Sequence, residues 1–77
     1  MNEETANLLS QFDSNSTELH LHNKKINGIL DLSRFINLEL LNCSNNYIEI
    51  INNFPDTLIE LKCDYNKINL LDNLPIN

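Results

Sequence analysis

The chain has 77 residues, with eleven acidic and five basic side chains and a net charge of −6. This length allows one small domain. The negative charge argues against nucleic acid and anionic membranes as partners, since both require clustered Lys and Arg. No apolar stretch approaches the ~20 residues that cross a bilayer, and the acidic N-terminus is unlike a signal peptide. We therefore expect an intracellular, cytoplasmic protein with reduced cysteines.

The first predicted element is a short amphipathic helix over residues 3–12. Asn2 is a suitable N-cap, and Glu3 and Glu4 would lie at the positive end of the helix dipole. The apolar side chains that would cover the exposed end of the core are Leu8, Leu9 and Phe12. Residues 1–15 are therefore predicted to form an N-terminal capping helix and a turn.

A period of about twenty residues organises the rest of the chain. The octapeptides "LNCSNNYI" from Leu41 and "LKCDYNKI" from Leu61 are near copies, and "LHLHNKKI" from Leu19 is a degenerate third copy. In each copy, alternating apolar residues indicate a short strand with one apolar face. An Asn-rich turn and a second apolar cluster follow. A unit that goes out and returns within ~20 residues indicates one coil of a solenoid, with parallel strands pairing from coil to coil.

The pattern L-x-x-L-x-L-x-x-N-x-L, with Cys for the third Leu, runs from Leu38 to Ile48 and again from Leu58 to Ile68. It resembles the leucine-rich repeat family, in the short form of about 20–22 residues found in bacterial effectors and large-virus proteins. The resemblance implies an α/β-type repeat solenoid with a short parallel β-sheet on the concave side and an irregular or 3-10 convex side. Its three coils would occupy residues 16–37, 38–57 and 58–77.

The two cysteines would occupy one inward position in successive coils. A disulfide between Cys43 and Cys63 is disfavoured by the torsion of parallel neighbours, a zinc site by the lack of further ligands, and a reactive thiol by the apolar surroundings. Core packing is the favoured interpretation. Asn46 and Asn66 are interpreted as structural residues whose amides would bond to the backbone of their own and the neighbouring coil.

The concave face is where the resemblance implies contact with a protein partner. The predicted partner-binding residues are Glu18, His20, His22, Leu40, Asn42, Ser44, Glu60, Lys62, Asp64 and Tyr65. Tyr65 and Leu40 are the expected anchors, because aromatic and apolar side chains dominate interface energies. Glu18, His20 and His22 share one strand face, so a metal or a pH-sensitive contact is an alternative. No fourth ligand is evident, and neither metal nor cofactor is predicted.

These observations predict a non-catalytic module for protein–protein interaction. The alternative is a truncated remnant or capping fragment of a longer repeat protein without independent function. An enzyme is disfavoured, because the sequence has neither a Gly-rich phosphate loop nor a Ser-His-Asp arrangement. Residues 74–77 would begin a fourth unit without a cap, and such an uncapped C-terminal edge could support self-association.

Overall fold

One short helix begins the chain in the computed structural model, which describes residues 1–71. Helix α1 covers Glu3–Leu9, and Asn2 Oδ1 accepts a hydrogen bond from the N–H of Thr5 at 2.8 Å. The predicted helix and its N-cap are confirmed, but the helix ends before residue 12. There the N–H of Phe12 donates to the carbonyl of Leu9 at 3.1 Å in a turn.

Six strands follow and form two separate parallel sheets. The strands are β1 (Glu18–His20), β2 (Asn27–Asp31), β3 (Leu40–Asn42), β4 (Tyr47–Asn52), β5 (Glu60–Lys62) and β6 (Leu70–Leu71). The first sheet has the order β1-β3-β5 and the second the order β2-β4-β6. Consecutive strands along the chain therefore belong to different sheets.

The central residues of β1, β3 and β5 point into the core. Leu19, Leu41 and Leu61 lie side by side, in the register that the spacing of the octapeptides predicts. Their neighbours in sequence point to the opposite face, because successive side chains of a strand alternate. Leu19 and Leu41 are 0% exposed, whereas Leu61 is only partly buried. Burial therefore decreases towards β5.

The core is one cluster of apolar side chains from α1, both sheets and the connections. Phe35 and Phe54 enter it from the segments after β2 and β4. The largest fully buried side chains are Phe35, Leu19, Leu21, Leu30, Leu32, Leu38, Leu41, Ile48, Ile51 and Cys43. The helix adds Leu9 as a buried residue, with Leu8 and Phe12 packed against the cluster from its periphery.

The predicted α/β-type repeat solenoid is wrong. The structure is a small globule of 28 × 24 × 17 Å with two separate three-stranded parallel sheets and one short helix, and it indicates no repeat solenoid. The prediction makes the segments after the Asn-rich turns irregular or 3-10, but Asn27–Asp31 and Tyr47–Asn52 are strands of a second sheet. Ile48, Ile50 and Ile51 explain the difference, because β-branched side chains favour extended backbone.

The predicted start of a fourth unit at residues 74–77 lies outside the described part of the chain. Within residues 1–71, no helix has the length and apolar character needed to span a membrane.

Candidate functional site

The exposed side of the first sheet brings together six of the predicted partner-binding residues. Alternation along the three strands turns their side chains away from the core. The parallel register arranges them in two rows across the sheet. One row contains Glu18, Leu40 and Glu60, and the other contains His20, Asn42 and Lys62. We call these six residues the outer face.

The acidic side chains, the lysine and the histidine of the outer face lie on its two flanking strands. On β1, His20 Nε2 is 3.3 Å from Glu18 Oε1, and on β5, Lys62 Nζ is 3.7 Å from Glu60 Oε2. All four side chains are more than half exposed, so each pair stabilises the fold by less than about 1 kcal/mol. The main effect of the two pairs is to orient their side chains. In both flanking strands the glutamate is the first residue, and the nitrogen-bearing side chain is the third.

The central strand of the outer face carries no charge. Leu40 and Asn42 of β3 are both partly buried between the flanking strands. Asn42 Oδ1 accepts a hydrogen bond from the N–H of Ser44 at 3.2 Å, which orients the amide at the end of the strand. A partner would therefore meet an apolar and amide centre, with a charged strand on each side at ~5 Å.

The other four predicted residues lie in the turns after these strands. His22 and Asp64 are exposed, Ser44 is partly buried, and Tyr65 is 81% exposed. The backbone of Tyr65 is left-handed, with a φ of 58°. A residue other than glycine is strained there by about 1 kcal/mol. The turn thus holds an exposed aromatic side chain in a conformation that asparagine adopts more readily.

A shallow groove of about 310 Å³ lies beside Tyr65, and no pattern in the sequence predicts it. Its lining residues are Asn23, Asn45, Asn46, Tyr47 and Tyr65. The Nζ atom of Lys67 lies 5.9 Å from the centroid of the Tyr47 ring, within cation–π range. Tyr47 and Lys67 are missed because the family pattern leaves their positions unspecified. The sequence feature that could have indicated the groove is the aromatic residue Tyr47 at the end of an Asn-rich turn.

The two cysteines are free thiols in different environments. Cys43 is 0% exposed, and burial, followed by the proximity of Cys63, raises the pKa of its thiol to about 12. Cys63 is only partly buried, and burial followed by the charge of Asp64 raises the pKa of its thiol. Since the thiolate is the nucleophilic form, neither environment favours catalysis by cysteine.

Asn46 and Asn66 bond to backbone groups on both sides of their turns. Asn46 Oδ1 accepts from the N–H groups of Lys24 and Ile26, each at 3.0 Å, and its Nδ2 donates to the carbonyl of Leu21 at 2.9 Å. Asn66 Oδ1 accepts from the N–H of Ile48 at 3.0 Å. Such bonds satisfy groups that the turns leave outside the sheets, so these asparagines stabilise the turns around the groove.

No cluster of three or more His, Cys, Asp or Glu side chains suited to a metal ion occurs in residues 1–71. Glu18 and His20 form a pair on the outer face, while His22 lies in the turn beyond β1. Two protein ligands fall short of the three or four that zinc sites use. Residues 1–71 therefore contain no preformed metal centre.

Comparison with known protein families, curated proteins and solved structures finds no match to this chain. Membership of the leucine-rich repeat family therefore stays a prediction based on the two copies of its pattern.

Proposed function

We propose that the protein is a non-catalytic module that binds a protein partner through the outer face of its first sheet. The observation that supports this proposal is the arrangement of the face: two charged strands flank the uncharged residues Leu40 and Asn42. An apolar centre with a polar rim is the usual anatomy of a protein contact surface. Tyr65 adds an exposed aromatic anchor next to this surface.

The charges of the outer face also indicate which charges a complementary partner would carry. Glu18 and Glu60 lie in one row, about 10 Å apart across β3, and His20 and Lys62 lie in the other. A complementary partner would present basic groups to the first row and acidic groups to the second. Such complementarity mainly raises the association rate and the specificity of binding. A face of three short strands is smaller than a standard footprint of ~800 Å² per partner, so we expect weak binding.

Affinity capture with variant baits tests this proposal. The double variant Leu40→Glu/Tyr65→Ala should lose the proteins that the wild-type bait retains from an extract of the source cell. Ile36→Glu is the matched control, since Ile36 is 65% exposed, lies in the connection between β2 and β3, and is not one of the six outer-face residues. The control should keep the same proteins. If all three baits retain the same set, the outer face is not the contact surface.

We further propose that the protein is intracellular and cytoplasmic. An intracellular, cytoplasmic location is supported by the two free thiols and the net charge of −6, which also weighs against nucleic acid and membranes as partners. Fluorescence of the tagged chain in its source cell tests this, and secretion or membrane association would contradict it. A remnant or capping fragment without its own function remains the alternative, and it predicts no bait-specific retention.

A further inference from the structure

The outer edge of β5 exposes backbone groups that correspond to paired groups of β3. On β3, the N–H of Cys43 donates to the carbonyl of Lys62 at 2.8 Å, and the carbonyl of Glu39 accepts from the N–H of Glu60 at 3.0 Å. Backbone groups of a strand alternate between its two edges. The N–H and C=O of Leu61, like the N–H of Cys63, therefore point away from β3. In residues 1–71, no strand pairs with this edge.

The apolar layer behind this edge is also incompletely covered. Leu61, Cys63, Ile68 and Leu71 pack against the core but are only partly buried. Their counterparts one strand earlier are 0% exposed: Leu41, Cys43, Ile48 and Ile51. Within residues 1–71, the end formed by β5 and β6 thus combines unpaired strand groups with partly exposed apolar side chains. This combination favours strand addition.

We propose that a second copy of the chain covers this end by antiparallel pairing of β5 with β5. A two-fold axis at Leu61 places the two Leu61 residues opposite each other, where each N–H donates to the other's carbonyl. The N–H of Cys63 then faces the carbonyl of Ile59 in the second copy. The sheet continues across the axis, and the partly buried end layers of the two copies cover each other.

Charge complementarity favours a second copy over an unrelated strand. With Leu61 at the centre, antiparallel register places Glu60 opposite Lys62 of the second copy, and Lys62 opposite its Glu60. Two opposite-charge pairs therefore form across the axis, whereas like charges opposite each other would destabilise the pairing. The strand is self-complementary in both its backbone groups and its charges. The inference concerns the edge of the sheet and does not depend on the proposed function.

The size of the end predicts weak, reversible association. Even the largest cross-section of a molecule of 28 × 24 × 17 Å falls short of the ~800 Å² per partner of a standard interface. We expect a dissociation constant on the order of 10⁻⁴ M. The net charge of −6 on each copy opposes association. A buffer of about 150 mM salt screens this repulsion beyond ~8 Å and leaves the adjacent pairs effective.

Sedimentation velocity on the purified full chain, from about 10 µM to about 1 mM, tests the proposal. The wild type should pass from a species of 8.9 kDa to one of twice that mass. Lys62→Glu and Glu60→Lys should each raise the dissociation constant at least about 10-fold, because both place like charges opposite each other. The double variant Glu60→Lys/Lys62→Glu, and an equimolar mixture of the two single variants, should restore association.

Glu49→Lys is the matched control, since Glu49 is an exposed residue of the central strand β4. This substitution and Glu60→Lys both change the net charge from −6 to −4, by replacing one carboxylate with one ammonium. If net charge governed association, both would strengthen it. The proposal predicts that only Glu60→Lys weakens it, with native circular dichroism in every variant. A wild type that stays monomeric throughout, equal association of wild type and single variants, or no rescue by the charge exchange would overturn the proposal.

Discussion

Asn66 links two neighbouring turns, since its Nδ2 donates to the carbonyl of Cys43, 23 residues earlier, at 2.9 Å. The same nitrogen also donates to the carbonyl of Cys63 at 3.1 Å within its own turn. Asn46 forms the corresponding bonds one strand earlier, to the carbonyls of Leu21 and Cys43. The side-chain amide of one asparagine in each turn thus connects that turn to the turn after the neighbouring strand of the first sheet.

Replacing these asparagines should have unequal effects. Asn46 is 5% exposed, while Asn66 is only partly buried. Asn46→Ala leaves several buried backbone groups unsatisfied and should lower the free energy of unfolding by about 3 kcal/mol. Asn66→Ala should cost about 1–2 kcal/mol, since water can replace part of its bonds. Urea unfolding measures both. Equal losses would show that burial does not determine the contribution of these amides.

The inward leucines of the first sheet provide a second matched pair. Leu41→Ala removes a side chain that is 0% exposed and should destabilise the fold by about 2–5 kcal/mol. Leu61→Ala removes one that already contacts solvent and should cost about 1 kcal/mol. The difference should appear in the midpoint of urea unfolding, with the slope unchanged. A larger loss for Leu61→Ala would mean that the end of the first sheet is enclosed in solution.

The thiols should differ in their rate of chemical modification. Cys43 is enclosed, so a maleimide or disulfide reagent should reach it only after unfolding. Cys63 is partly exposed and should react in the native state, more slowly than a free thiol because its pKa is raised. Mass spectrometry of Cys43→Ala and Cys63→Ala assigns each rate. Rapid native modification of Cys43 would contradict its position in the core.

Alkaline pH should destabilise the fold through Cys43. The pKa of this thiol rises from 9.0 to about 12 in the folded state, so the folded chain retains a proton that the unfolded chain releases. The resulting stability is present below pH 9 and is lost as the pH rises towards 12. Unfolding experiments across this range should show a steeper loss for the wild type than for Cys43→Ala. Parallel pH profiles for the two proteins would exclude the Cys43 thiol as the cause.

The sequence predicts the first sheet well and the second poorly, for a physical reason. Leu19 and Leu41 alternate with side chains that face the solvent, so the period of two reveals both the strands and their register. In β4, Ile50 and Ile51 are adjacent, and the pairing shifts by one residue between Gly28 and Ile29. This irregularity removes the simple alternation from which a strand is recognised. The second sheet therefore looks like an irregular connection in the sequence.

The candidate site also has one part that the sequence predicts and one that it does not. The residues of the outer face follow from the alternation of β1, β3 and β5, which holds in the structure. The groove at Tyr47 and Tyr65 depends on left-handed turn geometry, and Tyr65 adopts it although its residue type gives no indication of it. Side-chain alternation is encoded locally, whereas the shape of a turn depends on the neighbouring turns that it contacts.

The decreasing burial from Leu19 to Leu61 implies that local stability also decreases along the chain. Opening β5 and β6 exposes side chains that already contact solvent, so it requires less free energy than unfolding the whole chain. Amide protons of these strands should exchange with deuterium through local opening, while those of β3 and β4 should exchange only through global unfolding. We therefore expect β5 and β6 to open and reclose more often than the strands nearer the N-terminus.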